Sequence, residues 1–171
     1  MKVNLFPMKD QKLSLMDKFY YLFLSFFGTG YAPKAPGTVG SFATIPLIYA
    51  LGYYRISLPL LLIFILVIFI AACVIAQKIQ VRDKVHDPGW IVIDEVIGML
   101  VTWIFVFPSI EIIDLFLVFV VFRVFDIIKI WPASYFDKRM EHGFATIFDD
   151  VISAGYAGIV LLLLNYFHLI N

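Results

Sequence analysis

Residues 58–77 read LPLLLIFILVIFIAACVIAQ, a run of 20 with no charged side chain. A bilayer's hydrocarbon core takes about 20 helical residues to cross. No water reaches that depth, so each backbone polar group must be satisfied inside the segment, and one run alone can do that only as a helix. Segments 39–54, 90–107, 112–131 and 151–170 are also strongly apolar. The first is short for a full crossing, giving five spans, or four if it is re-entrant. The expected fold is therefore an all-α membrane protein, a bundle of four to five transmembrane helices. Composition agrees: 62% of the 171 residues are hydrophobic, against about 45–50% in soluble domains. One small core cannot hide that excess.

The length suits a single domain, residues 1–171. Residues 1–38 would form an N-terminal interfacial region with a Gly/Pro-rich loop, and 39–171 the bundle. Ser14 and Asp17 have the spacing of a capping box, so an aromatic, amphipathic helix is expected from there to about residue 27, lying in the membrane interface. Residues 1–12 are polar, and no small-residue cleavage site follows, so a cleaved signal peptide is not expected. Net charge is zero, which gives no bulk field for nucleic acid. The lone Cys73 excludes an intrachain disulfide.

Orientation follows from lysine and arginine, which are retained on the cytoplasmic side. Of the 13, eleven fall before the first span or in the loops after the second and fourth. Arg55 lies on the other side and Arg123 inside a span. The N-terminus is thus expected in the cytoplasm. Most acids share that side, including Asp83, Asp87, Asp94, Glu95, Asp126, Asp149 and Asp150. Carboxylates contribute little to insertion, so their clustering calls for another cause, and a functional site is the natural one.

Asp94 and Glu95 enter the third span early. A charge at mid-membrane costs about 2.5–3.5 kcal/mol on the insertion scale, so the pair needs partners or a cation, unless it merely snorkels to the interface. Arg123, Asp126 and Lys129 recur every three residues, on one helical stripe. They form either a self-neutralising stripe or a phosphate grip, with Arg123 suited to bidentate contact and Lys129 to a point charge. Asp149 and Asp150 stand at the mouth of the last span, as helix caps or as hard oxygen ligands of the kind Mg2+ takes alongside water and phosphate. Gly37 and Thr38 open a helix after a glycine-rich loop, where backbone N–H groups can meet an anion. A simple turn would look the same. Asp83, His86 and Asp87 are weaker candidates as ligands or base in a loop.

Three blocks carry a family likeness: GTGYAPKAPGTVGSFATIP (28–46), VHDPGWIVIDEVIGM (85–99) and FRVFDIIKIWPASYFDKRMEHGFATIFDDVISAG (122–155). In order and spacing the chain resembles the phosphatidylglycerophosphatase A family. Asp94 and Glu95 match that family's Asp-Glu pair, Arg123, Asp126 and Lys129 its Arg…Asp…Lys stripe, and Asp149 and Asp150 its Asp-Asp pair. The chain departs from the common pattern at Ile130, where members often carry proline, and at Phe144, where many carry glycine.

The resemblance implies a bacterial inner-membrane, multi-pass enzyme with a cytoplasmic active site. It would hydrolyse the phosphate monoester of phosphatidylglycerol phosphate, a phospholipid substrate, with Mg2+ as cofactor. On this reading Asp149, Asp150, Asp94 and Glu95 hold the metal, and Arg123, Lys129, Thr38 and Gly37 bind the phosphate. Asp94, Glu95 and Asp126 act in catalysis, through an activated water or an aspartyl-phosphate. The alternative is a small transporter or channel with a cytoplasmic-side ion site. Its charges should then extend through both leaflets, yet the outer halves of the second, third and fifth spans carry almost none.

Overall fold

The computed structural model describes residues 14–85, 88–139 and 142–167. Among them are seven α-helices, one 3-10 turn and no strand. The helices are α1 (Leu15–Leu24), α2 (Pro36–Tyr53), α3 (Leu58–Asp83), α4 (Ile93–Ile104), α5 (Ile112–Ile128), α6 (Ala133–Arg139) and α7 (Gly143–Tyr166); the 3-10 turn is Thr29–Tyr31.

Local sequence explains most of the helix ends. At α1 both halves of the capping box form: Asp17 N–H donates to Ser14 Oγ and Ser14 N–H to the Asp17 carboxylate, each at 3.1 Å. The chain then reverses through Phe26, Phe27 and Gly28, all at positive φ. Pro36 occupies the first turn of α2, where its missing N–H costs nothing. Lys84 and Lys129 end α3 and α5 in the left-handed conformation. Tyr156 donates to the Trp131 carbonyl at 2.9 Å, tying the turn after α5 to α7.

Three segments depart most from the sequence expectation. The 90–107 segment yields only the 12-residue α4. At 1.5 Å per residue that is about 18 Å, well short of a bilayer core of about 30 Å. In exchange, α4 is sheathed by α2, α3, α5 and α7, and nine of its residues are buried. α3 runs on to Asp83, past the expected end at 77. α7 begins at Gly143 instead of near 151. Gly143 lies against the α3 backbone, and a Cβ there would be 2.8 Å from the Cys73 carbonyl oxygen. Its N–H also donates to Gln77 Oε1 at 2.6 Å. Only glycine lets α7 start this close to α3.

Burial departs from a soluble domain's in two ways, although the core itself is apolar. Asp94, Asp126, Asp149 and Asp150 are buried, while Leu60, Ile63, Leu66, Val67 and Ile70 of α3 are more than half exposed. Large exposed apolar areas mark a surface covered by something other than water. Two helices, α3 and α7, are long and apolar enough to cross a membrane.

Candidate functional site

Four helices meet around one acidic centre. The first turn of α4 supplies Asp94 and Glu95. α5 supplies Arg123 and Asp126, and α7 supplies Asp149 and Asp150 as its seventh and eighth residues. The first turn of α2 supplies Gly37 and Thr38. Asp94 Oδ1 accepts the Glu95 N–H at 3.1 Å, which orients the pair. One oxygen each from Asp94, Glu95 and Asp150 lie within 4.8 Å of one another.

Arg123 and Lys129 face the acids. Arg123 Nη1 donates to the Asp126 carboxylate, lies 3.7 Å from Glu95 Oε1 and reaches Ser41 Oγ at 3.5 Å. Lys129 Nζ donates to Asp149. Lys129 reaches it from the left-handed cap that ends α5, with φ 46°, and not from a continuous stripe with Arg123 and Asp126. The helix stops one residue too early for the expected stripe. The turn swings the ammonium across to α7 instead.

Five carboxylates therefore share this centre with two cationic side chains. Unbalanced charge out of water costs several kcal/mol per ion. Glu95 Oε2 is buried with no hydrogen-bond partner, and so is Arg123 Nε. An orphaned carboxylate oxygen beside two more acids suits a hard cation with oxygen ligands. The 4.8 Å spread is near that of oxygens on opposite sides of one ion at about 2.0–2.6 Å. An unused guanidinium N–H suits an anion.

Gly37 explains how α2 comes so close. A Cβ there would run into Glu95 Oε1 and lie 3.2 Å from Arg123 Nη1. Gly37→Ala is therefore expected to lower kcat/KM about 10–100-fold, because small displacements of positioned groups carry costs of that order. Alanine is the better helix former by about 0.5–1 kcal/mol, so the helix itself should not weaken. Activity and helix content measured on the same sample check both halves. Thr38, beside Gly37, is half-buried.

Asp83 is engaged elsewhere. It accepts from the Tyr21 hydroxyl and, at 2.7 Å, from Arg82 Nε, while Arg82 also pairs with Asp17. Burial, and then Asp83 itself, push the Tyr21 hydroxyl well above the usual phenol range, so it stays a donor. This network clasps α1 to α3. His86 and Asp87 lie outside the described residues.

Sequence reasoning passed over four polar residues that support the site, Ser41, Gln77, Gln80 and Thr146. Ser41 donates to the Gly37 carbonyl at 2.9 Å while facing Arg123. Gln80 Nε2 donates to Thr146 Oγ1 at 2.9 Å, and with the Gln77–Gly143 bond it sets α7 against α3 just before the Asp pair. The signal was present: two glutamines three residues apart continue an otherwise apolar helix.

Fold and site define a class: an apolar helical bundle with a buried acidic centre faced by two cationic side chains. The family model for Phosphatidylglycerophosphatase A matches residues 22–165. A Haemophilus influenzae protein named Phosphatidylglycerophosphatase A is 38% identical over 167 residues, covering 95% of this chain and 97% of that protein. An Escherichia coli protein of the same name is 34% identical over 155 residues, covering 89% of this chain and 84% of that protein. No solved structure matches this chain. The chain belongs to the phosphatidylglycerophosphatase A family.

Proposed function

We propose that this chain hydrolyses the phosphate monoester of phosphatidylglycerol phosphate, releasing phosphatidylglycerol and phosphate, with Mg2+ as cofactor. The observation that carries the reading is the meeting of Asp94, Glu95 and Asp150 within 4.8 Å, beside an Arg123 whose Nε is buried without a partner. The relatives' shared name supports the substrate.

Asp94, Glu95 and Asp150 would hold the cation, with Asp149 next to them. When bound, it supplies positive charge against the phosphate and acidifies water at the site. The chain's own groups do the rest. Arg123 is held by Asp126 and turns its remaining N–H toward the substrate phosphate, where the spreading charge of phosphoryl transfer has to be met. Lys129, anchored on Asp149, adds a second positive charge at the same depth. The first turn of α2 brings backbone N–H groups of Gly37 and Thr38 to the anion. Asp126 or Asp94 accepts the proton of the attacking group.

The same reading places the chain in a bacterial inner membrane with four to five crossings and α1 along the interface. The N-terminus and the acidic centre face the cytoplasm, the side that holds eleven of the 13 lysines and arginines. The headgroup phosphate of an inner-leaflet lipid lies at that depth, with its acyl chains among the helices. A transporter is disfavoured because, among the described residues, the acids with two or more acidic neighbours form one centre.

The direct test is phosphate release from phosphatidylglycerol phosphate by purified protein in micelles, with Mg2+ and after its removal by EDTA. Release that stops with EDTA and returns with Mg2+ is the expected result. Release unaffected by chelation would overturn the metal assignment, and its absence under both conditions would overturn the activity.

A further inference from the structure

Between α2 and α5 runs an apolar groove of about 320 Å3, lined by Phe42, Ile45, Ile112, Leu115, Phe116 and Phe119. Its inner end, at Phe42 and Phe119, adjoins the candidate site along both helices. Phe42 follows Ser41, whose hydroxyl is 3.5 Å from Arg123 Nη1. Phe119 lies one helical turn before Arg123, and the Phe42 and Phe119 rings meet edge to face with centroids 6.1 Å apart. From Arg123 back to Ile112 is about 16 Å along α5. That is close to half of a bilayer core of about 30 Å, the depth of one leaflet. The groove also opens sideways, since Phe42, Phe116 and Ile112 are 64%, 55% and 87% exposed.

Resting on the phosphatase reading above, we propose that this groove seats one acyl chain of the lipid substrate and thereby sets a preference for chain length. The occupant follows from continuity and length. A lipid whose phosphate meets Arg123 has its hydrocarbon starting at Phe42 and Phe119, with one leaflet's depth of apolar wall beyond. A chain packed there contributes binding energy far from the reacting phosphorus, which can be used to position the headgroup.

The test compares dihexanoyl with dipalmitoyl phosphatidylglycerol phosphate, using full-length protein in micelles and the long-to-short ratio of kcat/KM. Ile45→Trp fills the groove near the site and is expected to lower that ratio about ten-fold, the order of a mis-sized apolar pocket. Ile112→Trp narrows the outer end and should lower it less. It sits at an 87% exposed position, so it carries the test if the Ile45 variant fails to fold. Ile63→Trp, on the exposed face of α3, should leave the ratio as in the wild type. An unchanged ratio in both groove variants, or an equal fall in the Ile63 variant, would overturn the groove assignment. If the wild type releases phosphate from neither lipid, the phosphatase reading fails first and the groove falls with it.

Discussion

Replacing Asp150 by asparagine is expected to slow phosphate release severely and, in the absence of divalent cation, to make the protein harder to unfold. Asp150 is 2% exposed. It sits beside Asp149 in α7, and one of its oxygens lies within 4.8 Å of those of Asp94 and Glu95. At that separation, with an effective dielectric near 20, two ionised carboxylates repel by on the order of 3 kcal/mol. Asparagine keeps the shape and removes the charge, so this repulsion goes. Each kcal/mol relieved should raise Tm in EDTA by about 2–4 °C. The same change removes a hard oxygen ligand and weakens the hold on Mg2+. Loss of charge stabilisation in phosphoryl transfer is expected to lower kcat about 10²–10³-fold. The stabilisation that Mg2+ confers on the wild type should shrink or vanish in the variant. A purely structural aspartate would give the opposite pair: lower Tm and kcat in proportion to the folded fraction. Melting curves with Mg2+ and with EDTA, beside phosphate release, separate the two. Activity within ten-fold of wild type would remove Asp150 from the site.

Arg123→Lys is expected to cost nearly as much, although the formal charge is unchanged. Arg123 has three neighbours at once: Asp126, Glu95 at 3.7 Å and Ser41 at 3.5 Å. Its Nε remains as a buried donor without a partner. A guanidinium can keep Asp126 on one nitrogen and offer another to a phosphate oxygen, because its donors are fixed in one plane. A lysine ammonium is a compact point charge on a flexible stem and cannot hold both directions. The expected result is a fall in kcat/KM of about 10²–10³-fold, with kcat carrying much of it, since the contact strengthens as charge spreads over the phosphoryl oxygens. A fall confined to KM would mean that Arg123 only gathers substrate. Near-wild-type turnover would leave it a structural partner of Asp126.

Much of the site was legible in the one-dimensional pattern. Charge inside apolar segments is expensive, so Asp94, Glu95, Arg123 and Asp126 announced themselves by where they stand. The repeat of lysine and arginine on alternate loops carried the expected orientation in the same way. The glycine-rich approach to α2 was visible too, but a turn and an anion site share that composition. The closeness of Gly37 to Glu95 and Arg123, which the sequence does not show, puts this helix start at the acidic centre.

The less legible features turn on close approach between helices. Asp149 and Asp150 were expected at a helix mouth, as caps or as oxygen ligands, because the apolar run begins after them. They lie two turns inside α7 because Gly143 can rest on the α3 backbone and start the helix early. α4 resembled a full span by hydropathy, yet it is a short, enclosed rod, since neighbours cover it where lipid would otherwise have to. Lys129 looked like the third residue of a stripe and is a left-handed cap that reaches α7.

By itself, the sequence determined that the chain is helical, that apolar surface dominates it and which ionisable residues stand where solvation is poor. These depend on local composition and on the cost of burying charge. Tertiary structure alone decided which of those residues touch, which helix ends lie inside the bundle and where an apolar groove opens beside Arg123. Those outcomes depend on how near two backbones can come, a property of pairs of segments far apart in the chain.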